Sequence, residues 1–251
     1  MRVLFRFENK KEIALPLHYN YYLESAIYRS ISPELSEFLH KYGFVFGKRR
    51  FKLFTFSRIF GAYKIIGDSI KFYGHTSFMV SSPIERFIVE LVNSIMKRSE
   101  ISIGQNALKI ESVYFPKPPE FEDKVFAKTL SPITVYSTLL TPQGAKKTYY
   151  YSPFEKQFNE LISNNAIKKG YFFSKRKIKN GMEIKPLKMR EVFLNYKGTI
   201  IRGWSGTFIL SGPLTLIKVT YDAGLGSKNS EGFGMYEVIS AGDLKRGNYF
   251  K

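Results

Sequence analysis

Near the middle of the chain stands Pro116-Lys117-Pro118-Pro119, and no regular element can run through it. Proline fixes φ and carries no N–H, so clustered prolines prevent both a helix and a central strand. The 251 residues are 44% apolar, enough nonpolar side chain for two cores, one on either side of the prolines. The expected domains are 1–116 and 120–251.

In the first of these, Val3, Phe5 and Phe7 alternate with Arg2, Leu4 and Arg6, the period of a strand with one face toward a core. A helix is expected from about Asn20, with Leu23, Ile27, Tyr22 and Ala26 on its buried side. Ser32-Pro33-Glu34 opens a second helix at a new angle, running to about Tyr42, with serine as N-cap, proline at the first helical position and an acid in the first turn. The basic segment Lys48-Arg49-Arg50-Phe51-Lys52 leads into a strand over 53–57, and 62–80 reads as further strand turning near Gly67-Asp68. Ser82-Pro83-Ile84-Glu85 has the form of a capping box, and Ile84, Phe87, Ile88, Leu91, Val92, Ile95 and Met96 recur at helical spacing behind it. A strand over 108–115 completes the order β-α-β-β-α-β.

Beyond the prolines the order repeats with insertions. Residues 125–137 are strand-like, 146–151 hairpins with them, and Ser152-Pro153-Phe154-Glu155 opens a helix with Phe154, Phe158, Leu161 and Ile162 on one face. Strands over 183–196 and 199–210 join at Lys197-Gly198, 213–221 fits either a short helix or a strand, and 235–239 is the last strand. The expected fold class is therefore α+β, with one β-α-β-β-α-β unit per half.

A formal charge of +18, from 39 Lys and Arg against 21 Asp and Glu, favours a polyanionic partner, nucleic acid before anionic membrane. The absence of cysteine excludes disulfides and thiolate metal sites, and with only His18, His40 and His75 neither a metal nor a cofactor is expected. No apolar run approaches the ~18 residues of a membrane span, and the first seven residues alternate too soon for a signal peptide; a soluble, cytoplasmic protein is the expectation. The 23 Phe and 17 Tyr are strand and core formers, some of which could stack on unpaired bases.

Near the end comes Gly224-Leu225-Gly226-Ser227-Lys228-Asn229-Ser230-Glu231-Gly232-Phe233-Gly234. Four glycines around a lysine point to successive N–H groups turned outward, a nest that accepts phosphate oxygens. Neither a Walker loop nor a dinucleotide fingerprint fits the spacing. The other reading of the stretch is a plain surface connection into the last strand.

Two Gly-apolar-Gly triplets flanking five residues that include a lysine, at the end of a tandem chain of this kind, resemble the CRISPR-associated endoribonuclease family, number six in that nomenclature, within the repeat-associated RNA-binding superfamily. Gly224, Gly226, Lys228, Gly232 and Gly234 match its pattern. The segments Tyr21-Tyr22-Leu23-Glu24-Ser25-Ala26-Ile27-Tyr28, Phe38-Leu39-His40 and Phe51-Lys52-Leu53-Phe54-Thr55-Phe56-Ser57 resemble, in order, those carrying a catalytic tyrosine, histidine and lysine in archaeal members.

The resemblance implies two tandem ferredoxin-like (RRM-like) domains and a metal-independent endoribonuclease cutting CRISPR repeat RNA, by 2′-hydroxyl attack, to a cyclic phosphate and a 5′-hydroxyl. It carries over to Tyr28 and His40 as proton-transfer groups, either of which could be the base, and to Lys52 as stabiliser of the phosphorane. Singly, Tyr28 could be a core residue, His40 a helix-end cap and Lys52 a solvated charge; Lys48, Arg49 or Arg50 could serve for Lys52. Expected RNA contacts are Lys48, Arg49 and Arg50, the Gly-rich loop with Lys228 and Asn229 donating, and Lys175, Arg176 and Lys177 within a run from Lys168 to Lys179 that interleaves cations with aromatics.

Repeat RNA, other effector-complex subunits and a second copy of the chain are the possible partners. Two rivals stand beside this reading: a non-catalytic RNA-binding subunit of a CRISPR effector complex, and a general tandem RNA-binding protein. His75-Thr76-Ser77 resembles one half of a two-histidine phosphoesterase motif, but no second copy exists. His75 is expected to face solvent from a strand, and His18 is the reserve for His40.

Overall fold

The opening alternation extends further than seven residues. In the computed structural model, which describes residues 1–174 and 178–242 apart from the side chains of 9 and 10, it becomes β1 (Arg2–Pro16). A bulge between Asn9 and Ile13 breaks the ladder yet leaves Ile13 and Leu15 in the same core as Val3, Phe5 and Phe7. The next element, α1 (Asn20–Tyr28), buries Leu23, Ala26 and Ile27, while Tyr22, expected inside, lies at the surface against Tyr21. Ser32 caps α2 (Pro33–Glu37) by accepting the Leu35 N–H at 3.3 Å, and the chain then widens into a π turn over Phe38–Tyr42.

β2 (Phe44–Phe46) and β3 (Arg49–Phe51) form a small hairpin. The strand expected over 53–57 shrinks to β4 (Thr55–Phe56), because Leu53 takes a left-handed conformation with φ +55° that no strand ladder accepts. β5 (Phe60–Ile66) and β6 (Ser69–Ser81) turn at Gly67. The capping-box reading at Ser82 gives way: α3 (Glu85–Arg98) starts after Ile84, since the Ser82 hydroxyl donates to the Leu53 carbonyl at 2.7 Å and accepts the Ile84 N–H at 3.0 Å. Its last residues feed a hairpin of β7 (Glu100–Ile103) and β8 (Asn106–Tyr114).

After the prolines come β9 (Lys124–Thr129), the hairpin β10 (Tyr136–Leu140) and β11 (Lys146–Tyr150), and α4 (Lys156–Gly170). Phe154 precedes α4 and is 73% exposed rather than on its buried face. β12 (Glu183–Tyr196) and β13 (Thr199–Ser211) pair along their length, residues 213–221 resolve as α5 (Leu214–Ala223), and β14 (Tyr236–Ile239) is the final strand.

The result is a mixed α/β chain with two large antiparallel sheets. One has the order β4-β6-β1-β8-β7, with β5 also on β6, and the other β12-β13-β9-β14. Phe87, Ile88, Leu91 and Ile95 of α3 share a core with Leu23 and Ile27 of α1 and the inner residues of β1 and β6. A second core gathers Phe158 and Ile162 of α4, Leu216 and Ile217 of α5, and Phe208, Leu210 and Tyr236 from the sheet.

The two halves meet at β4 and the Gly-rich loop. Thr55 donates to the Phe233 carbonyl at 2.9 Å, Asn20 to the Glu231 carbonyl at 2.8 Å, and the Arg58 N–H to the Leu130 carbonyl at 3.0 Å.

Phe54, fully buried just before β4, stacks on Phe87 at 4.7 Å and meets the Tyr28 ring edge-on at 5.5 Å. Truncating such a ring removes transfer energy and leaves a cavity. Phe54→Ala is expected to cost about 3–5 kcal/mol in urea unfolding; a cost within error of zero would contradict this packing.

Candidate catalytic cleft

Glu24 and Tyr28 stand four residues apart on α1 and therefore share a face. The chain turns at Ser32-Pro33, and α2 with its π turn brings His40 back over α1. The His40 and Tyr28 rings stack, with centroids 3.9 Å apart at 29°. π turns carry one extra residue and frequently accompany functional sites. Lys52 follows β3, and its Nζ lies 5.7 Å from the Tyr28 ring centroid. Leu53, left-handed, buried and with its carbonyl accepting from the Ser82 hydroxyl, follows Lys52 immediately. Such a conformation is strained for a bulky residue and persists only where surrounding contacts impose it.

The electrostatics follow from burial. The Tyr28 hydroxyl is buried without a hydrogen-bond partner among the described residues, and burial, then Glu24 and Glu231, push its pKa far above the ordinary phenol value. Desolvation, with Lys52 and Lys197, holds His40 below the usual imidazole range. Lys52 is lowered by desolvation against the pull of Glu24 and Glu231. Glu24 is 6% exposed, and burial raises it to about 7 although the Tyr196 hydroxyl donates to its carboxylate. A tyrosine of the second half thus reaches a buried carboxylate one turn before Tyr28.

Beside this cluster a cleft of about 250 Å³ opens between the halves. Arg49, Arg50 and Lys52 line it from the first half, and Lys168, Lys228 and Tyr136 from the second. Lys48, in the β2–β3 turn, is not among its lining residues. Arg50 also donates to the Lys41 carbonyl at 2.7 Å, which ties the β2–β3 hairpin to the π turn that carries His40.

The Gly-rich loop joins the two halves and is tied by hydrogen bonds within itself. All four glycines have φ between +68° and +83°. A Cβ at Gly234 would stand 2.0 Å from the Leu225 carbonyl, one at Gly226 2.5 Å from the Thr134 carbonyl, and one at Gly232 2.4 Å from the Phe56 ring; at Gly224 it would meet the Asn229 amide at 2.5 Å. Asn229, expected to donate outward, has its amide committed inside the loop. Nδ2 donates to the Leu225 and Phe233 carbonyls at 2.9 and 3.0 Å, and Oδ1 accepts from Lys169 at 2.7 Å. Lys228 borders the cleft with its Nζ 3.0 Å from Glu231 and 5.6 Å from the Tyr136 ring centroid.

Part of the run from Lys168 to Lys179 is turned inward. Lys169 is 1% exposed, donates also to the Gly224 and Gly226 carbonyls at 2.7 and 3.1 Å, and is pushed down to about 7 by burial. Phe172 packs on Phe44 and Phe51, and Tyr171 on Phe46, so these aromatics fasten the β2–β3 hairpin to the second half. Lys175, Arg176 and Lys177 lie outside the described residues. His75 faces solvent from β6, paired with Glu111 at 3.0 Å.

Sequence reasoning missed Glu24, Lys169, Tyr196 and Lys197. Nothing local marks the first three; for Lys197 a signal exists in the turn that it occupies. Among the described residues no three His, Asp or Glu side chains converge as metal ligands would, and no helix is long and apolar enough to cross a membrane.

Residues 14–114 match the family model described as CRISPR-associated protein Cas6, N-terminal, and residues 116–238 that of CRISPR associated protein Cas6, C-terminal. The chain is 30% identical to the CRISPR-associated endoribonuclease Cas6 1 of Methanocaldococcus jannaschii, over 99% of this chain and 96% of that protein. It is 28% identical to the CRISPR-associated endoribonuclease Cas6 of Pyrococcus furiosus, over 95% and 90%. A solved structure described as CRISPR associated protein Cas6 superposes with a TM-score of 0.79 at 30% identity, covering 96% of this chain and 99% of the other.

Glu24 gives the cleft a pH signature. Its folded-state pKa is raised from 4.5 to about 7, so its contribution to stability is complete below the unfolded value and is lost as pH rises through 7. Wild type should lose up to about 3 kcal/mol relative to Glu24→Gln between pH 4.5 and 7.5, measured by urea unfolding of both proteins. Parallel stability curves would contradict the burial of an ionisable carboxylate here.

Proposed function

Because the chain belongs to the Cas6 family of CRISPR-associated proteins, we propose that it is an endoribonuclease that cuts CRISPR repeat RNA at Tyr28, His40 and Lys52, without a metal ion. The observation that carries this reading is the stack of His40 on Tyr28 with the Lys52 ammonium beside it, at a cleft rimmed by Arg49, Arg50, Lys168 and Lys228. A base, a proton donor and a cation are what self-cleavage of RNA requires, and here all three are side chains. The same reading takes 1–116 and 120–251 as tandem ferredoxin-like domains. In its support, the first strand of each half lies inside its sheet, between the third and last strands of the unit, in the orders β5-β6-β1-β8 and β12-β13-β9-β14.

The directions of the pKa shifts divide the roles. A phenol held far above its ordinary pKa stays protonated through the neutral range and serves as donor. An imidazole held below its ordinary value stays neutral and can accept a proton. In this scheme His40 takes the 2′-hydroxyl proton, the 2′-oxygen attacks the adjacent phosphorus, and Lys52 stabilises the charge gathered on the phosphorane oxygens. The 5′-oxygen leaves with a proton from Tyr28, yielding a 2′,3′-cyclic phosphate and a 5′-hydroxyl. The cleft's cations hold the flanking backbone, chiefly by charge.

The test is cleavage of end-labelled repeat RNA in excess EDTA. Wild type should cut at one site and leave a cyclic phosphate, and His40→Ala should be slower by about 10²–10⁴-fold at matched binding. Its kcat/KM should rise with pH with a midpoint below the ordinary imidazole value, the sign expected of a base with a lowered pKa. Tight binding with no cutting by either protein would replace this reading with a non-catalytic RNA-binding subunit.

A further inference from the structure

We propose that the turn between β12 and β13 completes the catalytic centre from the second half, with Lys197 as a second cation on the scissile phosphate and the Tyr196–Glu24 hydrogen bond seating it there. This rests on the reading of Tyr28, His40 and Lys52 as the cleavage site.

The first observation is the backbone of the turn. Tyr196 pairs with Thr199, so Lys197-Gly198 is a two-residue hairpin loop, and both residues have positive φ, +50° and +80°. Loops of this kind strongly prefer asparagine or aspartate before the glycine, because a side chain with a Cβ is disfavoured in the left-handed region. The remainder of the turn is well made, with the Gly198 N–H donating to the Asn195 side chain at 2.9 Å. Lysine is therefore a poor choice for the loop itself, and strain of this sort gathers where a side chain is wanted for function.

The second observation is where the turn docks. The Tyr196 hydroxyl donates to the buried Glu24 carboxylate. The Tyr196 ring meets Tyr21 edge-on at 6.1 Å, and the Lys197 Nζ sits 4.4 Å from the Tyr21 ring centroid. An exposed lysine is thus held over the helix that carries Tyr28, close enough for its charge to act on His40, Lys52 and Glu24 together.

The third is the charge that this arrangement leaves. Lys52 and Lys197 carry like charges that act on each other, and at Lys52 the pull of Glu24 and that of Glu231 each exceed the Lys197 repulsion, although Glu24 is itself held back from ionising. A phosphate diester between the two ammonium groups relieves the repulsion. The phosphorane, with one more negative charge, relieves it further, which is the differential stabilisation that raises rate rather than affinity. Because Lys197 belongs to the second half, the active site is complete only when the two halves are seated on each other.

The experiment is single-turnover cleavage of end-labelled repeat RNA at saturating enzyme, with wild type, His40→Ala, Lys197→Asn, Lys197→Arg, Tyr196→Phe and the double variant Tyr196→Phe with Lys197→Asn. Affinity is measured in parallel on a repeat carrying a 2′-deoxynucleotide at the cleavage site. Asparagine suits the left-handed turn better than lysine, so Lys197→Asn should keep or raise Tm while slowing cleavage by about 10–10²-fold and weakening binding far less. Lys197→Arg should keep most of the rate. Tyr196→Phe should slow cleavage with Lys197 present and add little on the Lys197→Asn background, as expected for residues acting as one unit.

If wild type cuts, His40→Ala does not, and Lys197→Asn cuts at the wild-type rate, the second cation is refuted while the cleavage site stands. Equal slowing by Lys197→Asn and Lys197→Arg with lowered Tm would make the turn a structural element only. No cutting by wild type would sink both proposals.

Discussion

Lys169 is buried, and its Nζ has three oxygens in reach, those of Gly224, Gly226 and the Asn229 side chain. Burying a charge is expensive unless hydrogen bonds satisfy it, so this one lysine compels the Gly-rich loop to curl with its carbonyls inward. Asn229 then ties the far limb of the same loop through Phe233, whose carbonyl also takes the Thr55 hydroxyl of the first half. This knot is one of several contacts that seat the halves on each other, beside Arg58–Leu130, Phe172 on the β2–β3 hairpin and Tyr196–Glu24.

The cleft itself is a compromise between burial and charge. Its floor is aromatic: Phe54 lies fully buried under Tyr28 and against Phe87. Burial raises the Tyr28 pKa and lowers that of His40, while Lys52 and the basic rim supply positive charge. Glu24 and Glu231 moderate the repulsion among these cations in the absence of a ligand. The shifts of Tyr28, His40 and Lys52 thus arise from desolvation more than from pairing.

Much of the secondary structure was legible in the sequence. α1 from Asn20, the Ser32 cap and the long β12–β13 pair follow from period, caps and turn residues, whereas the strand expected over 125–137 divides into β9 and β10, and β11 pairs with β10. The errors have local causes. Serine at 82 looked like a cap, but its hydroxyl is needed by the strained Leu53. Phe154 sat at helical spacing but precedes the first turn of α4. Asn229 and Lys169 carry surface-type side chains, and only the packed loop turns them inward.

The residues themselves determined an α/β chain interrupted at Pro116–Pro119, a strong positive charge, and the glycines that a tight loop demands, because these follow from backbone geometry and composition within a few neighbours. The nearness of Tyr28, His40 and Lys52, the arrival of Tyr196 and Lys197 at Glu24, and the burial of Lys169 as a clamp on the Gly-rich loop were decided by tertiary structure. Each depends on partners between 12 and 173 positions apart in the chain, and no period or spacing in one segment records where a distant segment will come to rest.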